Sequence, residues 1–226
     1  MNPFSLRNKL AIVTGGSRGI GFAAARALLM SGARVILVSR SDADLDQAQQ
    51  KLFQITDPSN VMHYALDLTR TDAISESFTE CIGRYGTPDL LINAAGMTRR
   101  GKATELTLED WNQTLNLNAT AVFELSRCFA RERIAKKQSG KIINLASLMT
   151  AAARPGTSAY TASKGAVGQL TKALAVDWAP YHICVNAIAP GYIRTEMTGA
   201  LAADPEFSQW VQKRTPLGRW GEPDDI

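Results

Sequence analysis

Leu10-Ala11-Ile12-Val13-Thr14-Gly15-Gly16-Ser17-Arg18-Gly19-Ile20-Gly21 is an apolar run that breaks into glycines and resumes with helical spacing. Strand, tight turn and helix in that order are the context in which a glycine pattern reads as a phosphate-binding loop. Gly15, Gly19 and Gly21 let the backbone approach a pyrophosphate. Ser17 and Ile20 lie in the same loop, whose helix N-terminus offers unpaired N–H groups and a favourable dipole.

Outward from this stretch, short apolar runs alternate with longer amphipathic ones. Residues 10–14, 34–39, 61–66, 89–93, 140–146 and 182–188 read as strands, and their composition predicts that all six are fully buried. Residues 20–31, 43–54, 72–85, 108–135 and 159–179 have helix length and apolar recurrence at three and four. The alternation predicts an α/β fold. It is a Rossmann-type doubly wound parallel sheet in three α/β/α layers, strand order 3-2-1-4-5-6, with its ligand crevice at the carboxyl ends of the strands. No linker divides the 226 residues, so they read as one domain.

The end of the second strand sets the choice of dinucleotide. An acidic residue there would hydrogen-bond a ribose 2′-hydroxyl, but the chain has Ser39-Arg40-Ser41. A guanidinium at Arg40, helped by Arg18, suits a 2′-phosphate and hence NADP(H). The alternative leaves Arg40 in solvent and brings Asp42 to the ribose, although Asp42 reads better as a helix N-cap. Asp67-Leu68 after the third strand would hold the adenine, and Asn93-Ala94-Ala95-Gly96 ends the fourth with small residues.

Ser147, Tyr160 and Lys164 carry the chemistry. A spacing of four puts Tyr160 and Lys164 on one helix face, where the ammonium is expected to lower the phenol pKa from its free value near ~10. Such a pair is commonplace on solvated helices; Ser147 at a strand end and the dinucleotide loop make it a proton-transfer site.

Charge and cysteines bound the rest. The 25 basic and 21 acidic residues give a net +4, with basic residues scattered in short groups, a poor match for a nucleic-acid surface. Apolar runs fall far short of the ~20 residues a membrane span needs, which predicts a soluble, cytoplasmic protein. Cys81, Cys128 and Cys184 follow no CxxC pattern and read as buried thiols; no metal is expected.

With these residues in place, the chain resembles the short-chain dehydrogenase/reductase family from about residue 7 onward. The glycine motif matches Thr14, Gly15, Gly19 and Gly21. The strand-four motif matches Asn93, Ala95 and Gly96, with Ala94 in place of the more usual asparagine. Asn118, the Ser147/Tyr160/Lys164 set and Pro190-Gly191-Tyr192-Ile193-Arg194-Thr195 match as well. The resemblance implies that Tyr160 gives a proton to a carbonyl oxygen that Ser147 holds, while hydride passes between nicotinamide and carbon. It implies that Lys164 tunes Tyr160 and binds ribose, that Asn118 holds a water for proton resupply, and that Ile193 and Thr195 bind the carboxamide.

Substrate residues are expected after strands four, five and six, at 97–102, 148–157 and 191–216. Arg99 and Arg100 would clamp a carboxylate or polyol there, or else lie in solvent. With Arg219-Trp220-Gly221 they are similar to the gluconate 5-dehydrogenase and 2-deoxy-gluconate 3-dehydrogenase branch, which implies a keto sugar acid. 3-Oxoacyl-carrier-protein reductases share the motifs less fully. A non-catalytic NADP(H)-sensing or scaffold relative is the third reading. Members of this kind are commonly homotetramers built on the helices at 108–135 and 159–179. The family's further helix and seventh strand would follow Ile226, so an uncovered sheet edge is expected.

Overall fold

The computed structural model describes residues 4–226. Strands β1 (Leu10–Thr14), β2 (Arg34–Ser39), β3 (Val61–Ala65), β4 (Leu90–Asn93), β5 (Gly140–Leu145) and β6 (Ile183–Ile188) form one parallel sheet in the order β3-β2-β1-β4-β5-β6. The order reverses between β1 and β4, which opens a crevice at their carboxyl ends.

Alternate side chains of the central strands feed two cores. Leu10 and Ile12 of β1 join Phe78 and Cys81 of α3 (Ile74–Tyr85), Leu125 and Phe129 of α5 (Ala121–Ala135), and Leu174 of α6 (Ser158–Trp178). Ala11 and Val13 join Ala25 and Leu29 of α1 (Gly19–Met30) with Leu45, Ala48 and Leu52 of α2 (Asp42–Leu52). Full burial holds for β1 and β4; β2 and β5 each expose one residue, Arg34 and Lys141, and the outer strands are open to a greater extent. Only Val61 of β3 is buried, and Cys184, Asn186, Ala187 and Ile188 of β6 are exposed, because an outer strand has a neighbour on one side only. Cys184 is therefore a surface thiol, contrary to expectation. Cys81 and Cys128 are buried, and burial pushes the Cys81 thiol up to about 12.

Two local readings change. Ser41, not Asp42, caps α2, its Oγ accepting from Asp44 N at 3.2 Å; Asp42 is the first helical residue and faces His63 Nε2 at 3.4 Å. The helix expected at 108–135 is interrupted: α4 (Leu108–Leu115) passes through one π turn, Asn116–Thr120, into α5. The segment 191–216, expected to touch substrate, carries α7 (Gly199–Ala203) and α8 (Pro205–Arg214). The start signal of α8 is in the sequence: Asp204 Oδ1 accepts from the Glu206 and Phe207 amides at 3.0 and 3.1 Å, and Pro205 follows it. Among the described residues no helix is long and apolar enough to cross a membrane.

Candidate active site

Three polar residues stand level at the carboxyl ends of the central strands. Thr14 is in register with Asn93, and Asn93 with Asn144. Thr14 Oγ1 accepts from the Ala94 and Ala95 amides at 3.0 and 3.1 Å, stitching the glycine loop to the end of β4. A Cβ on Gly15 would lie 2.9 Å from Ala95 Cα, so the contact needs glycine; Gly15 and Gly19 also hold positive φ, +64° and +57°. Asn93 itself faces inward. Its Nδ2 donates to Asn144 Oδ1 at 2.9 Å and Ser126 Oγ at 3.1 Å, which makes it a brace behind the site.

The groove along β1 and β2 fits a dinucleotide. The glycine loop leads into the N-terminus of α1, and Ser39 Oγ, buried at the end of β2, has no hydrogen-bond partner among the described residues. Arg40 is exposed beside it. Asp67 is partly engaged: Oδ1 accepts from Thr69 N and Oγ1 at 3.0 and 2.7 Å. Burial pushes the Asp67 carboxyl up, but these hydrogen bonds and the charges of Arg40 and Arg70 outweigh it and hold the group below its usual range. The Leu68 side chain belongs to the core. Arg18 does not turn toward Arg40; it pairs with Glu196 at 2.7 Å across the groove mouth. Pro190 O accepts from Leu148 N at 3.0 Å, with exposed Gly191 next to it. Further along, Thr198 Oγ1 donates to Ile193 O at 2.6 Å and accepts from Thr195 N at 3.0 Å, fixing the segment after β6.

The π turn brings Asn118 inward, fully buried. Its Oδ1 accepts from Met97 N at 2.8 Å, and its Nδ2 donates to Met97 O at 2.9 Å and Ser163 Oγ at 2.9 Å. These bonds tie the loop after β4 to α6, so the Asn118 side chain positions others. Lys164 is buried, donates from Nζ to Leu145 O at 2.5 Å, and lies 5.8 Å from the Tyr160 ring centroid. Burial pulls its ammonium down to about 8. A Cβ on Gly96 would come within 3.8 Å of that Nζ and 3.3 Å of Asn118 Oδ1, which explains a glycine there.

Ser147 follows β5, accepts from Met149 N at 3.2 Å and faces Tyr160 across a cleft. The Tyr160 phenol stands above its ordinary value. Burial is the largest cause; the hydrogen bond with Ser147 and the charge of Arg100 partly offset it. The lowering expected from Lys164 does not occur: burial keeps the phenol raised, and Arg100 is the cation that partly offsets it.

The two candidate substrate arginines separate. Arg99 points away, Nε 3.4 Å from Asp110 and Nη2 3.4 Å from Gln113. Arg100 lines the cleft with Ser147 and Tyr160. Partial burial, then the like charge of Arg154, pull its guanidinium below the usual range. Arg154 was missed in the sequence, although it is the one charged residue among Ala151 to Pro155 in a loop expected to touch substrate.

A glycine-loop groove running into a cleft with a tyrosine, a serine and a buried lysine defines a dinucleotide-dependent oxidoreductase acting on CH–OH groups. The chain belongs to the short-chain dehydrogenase family, whose model, described as short chain dehydrogenase, matches residues 9–206. It is 41% identical over 223 residues to gluconate 5-dehydrogenase of Gluconobacter oxydans, covering 99% of this chain and 86% of that one. It is 40% identical over 223 residues to 2-dehydro-3-deoxy-D-gluconate 5-dehydrogenase of Bacillus subtilis, covering 99% and 86%. The crystal structure of a gluconate 5-dehydrogenase from Burkholderia cenocepacia in complex with NADP and tartrate matches with a TM-score of 0.92 at 36% identity, over 98% of this chain and 86% of that one.

Proposed function

We propose that this chain is one catalytic domain that interconverts a keto sugar acid, of the 5-keto-gluconate type, and its secondary alcohol, using NADP(H). The observation that carries the reading is a cleft in which Ser147 and Tyr160 stand beside Arg100, a guanidinium with no carboxylate partner among the described residues. The gluconate and deoxygluconate dehydrogenases among its relatives support it. Bound NADP(H) supplies or takes up the hydride. Ser147 Oγ donates to the substrate oxygen and holds it within reach of Tyr160 Oη, which delivers the proton in reduction and removes it in oxidation. Lys164 holds a positive charge behind Tyr160, and Asn118 keeps the loop carrying Met97 and Arg100 in place.

Gly15, Ser17, Gly19, Ile20 and Gly21 would cradle the pyrophosphate, and Arg40 with Ser39 the 2′-phosphate. Asp67 and the Leu68 backbone would take the adenine, Ala94 and Gly96 the nicotinamide side, and residues from Pro190 to Thr195 the carboxamide. Arg40→Asp is expected to lower the NADPH/NADH ratio of kcat/KM by at least ~10-fold, the size of one charge-assisted contact. An unchanged ratio would move the phosphate elsewhere. The reading as a whole is tested by NADPH oxidation with 5-keto-gluconate and, in parallel, a 3-oxoacyl thioester; turnover of the thioester alone would transfer the protein to acyl-chain reduction.

The raised phenol also sets a pH dependence. Reduction needs the protonated phenol, which dominates at neutral pH, whereas oxidation needs phenolate. The kcat/KM for gluconate oxidation should therefore climb as pH rises through the alkaline range, and Arg100→Gln should shift the climb to higher pH by removing a charge that stabilises the phenolate. A flat oxidative profile would exclude Tyr160 as the titrating base. Exposed Leu108, Trp111 and Phe123 on α4 and α5 support a homo-oligomer, and unbridged thiols suit a reducing cytoplasm.

A further inference from the structure

The cleft holds a second guanidinium, and its setting differs from that of Arg100. No Asp or Glu lines this cleft, and neither Arg100 nor Arg154 forms an ion pair among the described residues. Nine other arginines do find an acidic partner: Arg18, Arg26, Arg70, Arg84, Arg99, Arg127, Arg133, Arg194 and Arg219. Two like charges facing one cleft repel each other until an anion enters.

Arg154 is anchored by aromatic rings. Its guanidinium lies 4.3 Å from the Phe207 ring centroid and 5.7 Å from that of Tyr192, and Nη1 donates to Tyr192 Oη at 3.4 Å. A guanidinium resting over a ring retains further N–H donors in the fork geometry that suits a carboxylate, and the contact limits the rotamer entropy lost on binding. Phe207 belongs to α8, and edge-on contacts of Tyr192 with Phe207, Trp210 and Trp220 at 5.5, 5.7 and 5.8 Å fix that helix against the segment after β6.

The two guanidiniums also enter the cleft from different walls, Arg100 from the loop after β4 and Arg154 from its seat against Tyr192 and against Phe207 of α8. The charge of Arg100 is felt at Tyr160, and that of Arg154 is not among the influences on the phenol. A carboxylate directly beside the reacting carbonyl would therefore meet Arg100, and one several carbons away would meet Arg154. We propose that Arg154 is a specificity-determining residue that binds the acid end of substrates whose carbonyl is separated from the carboxylate by several carbons, and so selects such keto acids over 2-keto acids. This rests on the keto-sugar-acid reading above.

The test compares wild type, Arg154→Gln and Arg154→Lys in NADPH-dependent reduction of 5-keto-gluconate, 2-keto-gluconate and the neutral ketose L-sorbose, with NADPH affinity and melting temperature measured alongside. The glutamine variant should cut the 5-keto-gluconate/sorbose ratio of kcat/KM by roughly 10- to 100-fold, mainly through KM, the size of one charge-assisted pair. The lysine variant should recover part of that ratio. An equal loss on acid and ketose, or weaker NADPH binding, would reduce Arg154 to a support for α8 and overturn the proposal. So would a greater loss on 2-keto-gluconate than on 5-keto-gluconate. Wild-type turnover of 5-keto-gluconate that Arg154→Gln leaves untouched would sink this inference alone, whereas a wild type inactive on both acids would sink the keto-acid reading and the inference with it.

Discussion

Tyr160→Phe should lower kcat for carbonyl reduction by roughly 10²- to 10⁴-fold, the usual worth of a positioned general acid, while NADPH binds within about threefold of wild type. The substitution removes one oxygen and keeps the ring, which is half-buried on α6 near Lys164. The framework behind it does not depend on that oxygen. Asn118 holds Met97 and Ser163, Lys164 holds Leu145 O, and Thr150 Oγ1 donates to Lys164 O at 3.1 Å. Ser147 would still polarise the substrate, so a small residual rate is expected. Single-turnover reduction and a fluorescence titration with NADPH separate the two effects. Equal loss of rate and of cofactor affinity would mean that the phenol supports the groove and does not move the proton.

Gly21→Ala should abolish measurable NADPH binding at micromolar concentrations and lower the melting temperature. A Cβ at Gly21 would stand 2.3 Å from Gly15 O and 2.7 Å from Gly15 C, backbone atoms that cannot swing aside. The first turn of α1 would have to part from the glycine loop, and that separation spoils the backbone cradle. Overpacking of this kind costs about 1–3 kcal/mol, and a chain of this size loses about 2–4 °C per kcal/mol. Gly83→Ala is the control: Gly83 is exposed on α3 with no atom within 4 Å of the new Cβ, and alanine's higher helix propensity should hold or raise the melting temperature. Wild-type NADPH affinity in Gly21→Ala would place the pyrophosphate away from this loop.

The alternation that sets the strand order and the crevice was legible because buried parallel strands leave short apolar runs, and a phosphate-binding turn leaves glycines, at spacings that survive in one dimension. Ser147, Tyr160 and Lys164 were legible for a related reason: a helix places residues four apart on one face wherever it packs. The π turn at Asn116–Thr120 left no comparable mark, since it is a single turn of i→i+5 bonding within one helical run. Helix α8 carries its start signal in Asp204-Pro205, but the tertiary contacts that seat it on Tyr192 and Trp220 have no local mark.

What the linear chain determined by itself was the doubly wound sheet, the dinucleotide loop and the proton-transfer set, all products of local periodicity and short fixed spacings. Tertiary structure decided which charges face the chemistry. Arg99 and Arg100 are adjacent in sequence, yet Asp110 and Gln113 of α4 draw one away while the other turns into the cleft. Arg154 and Phe207 meet although more than fifty residues separate them, and the Tyr160 phenol is raised by a burial that no local spacing encodes. Electrostatics depends on which distant groups share a low-dielectric space, and only the packed fold specifies that.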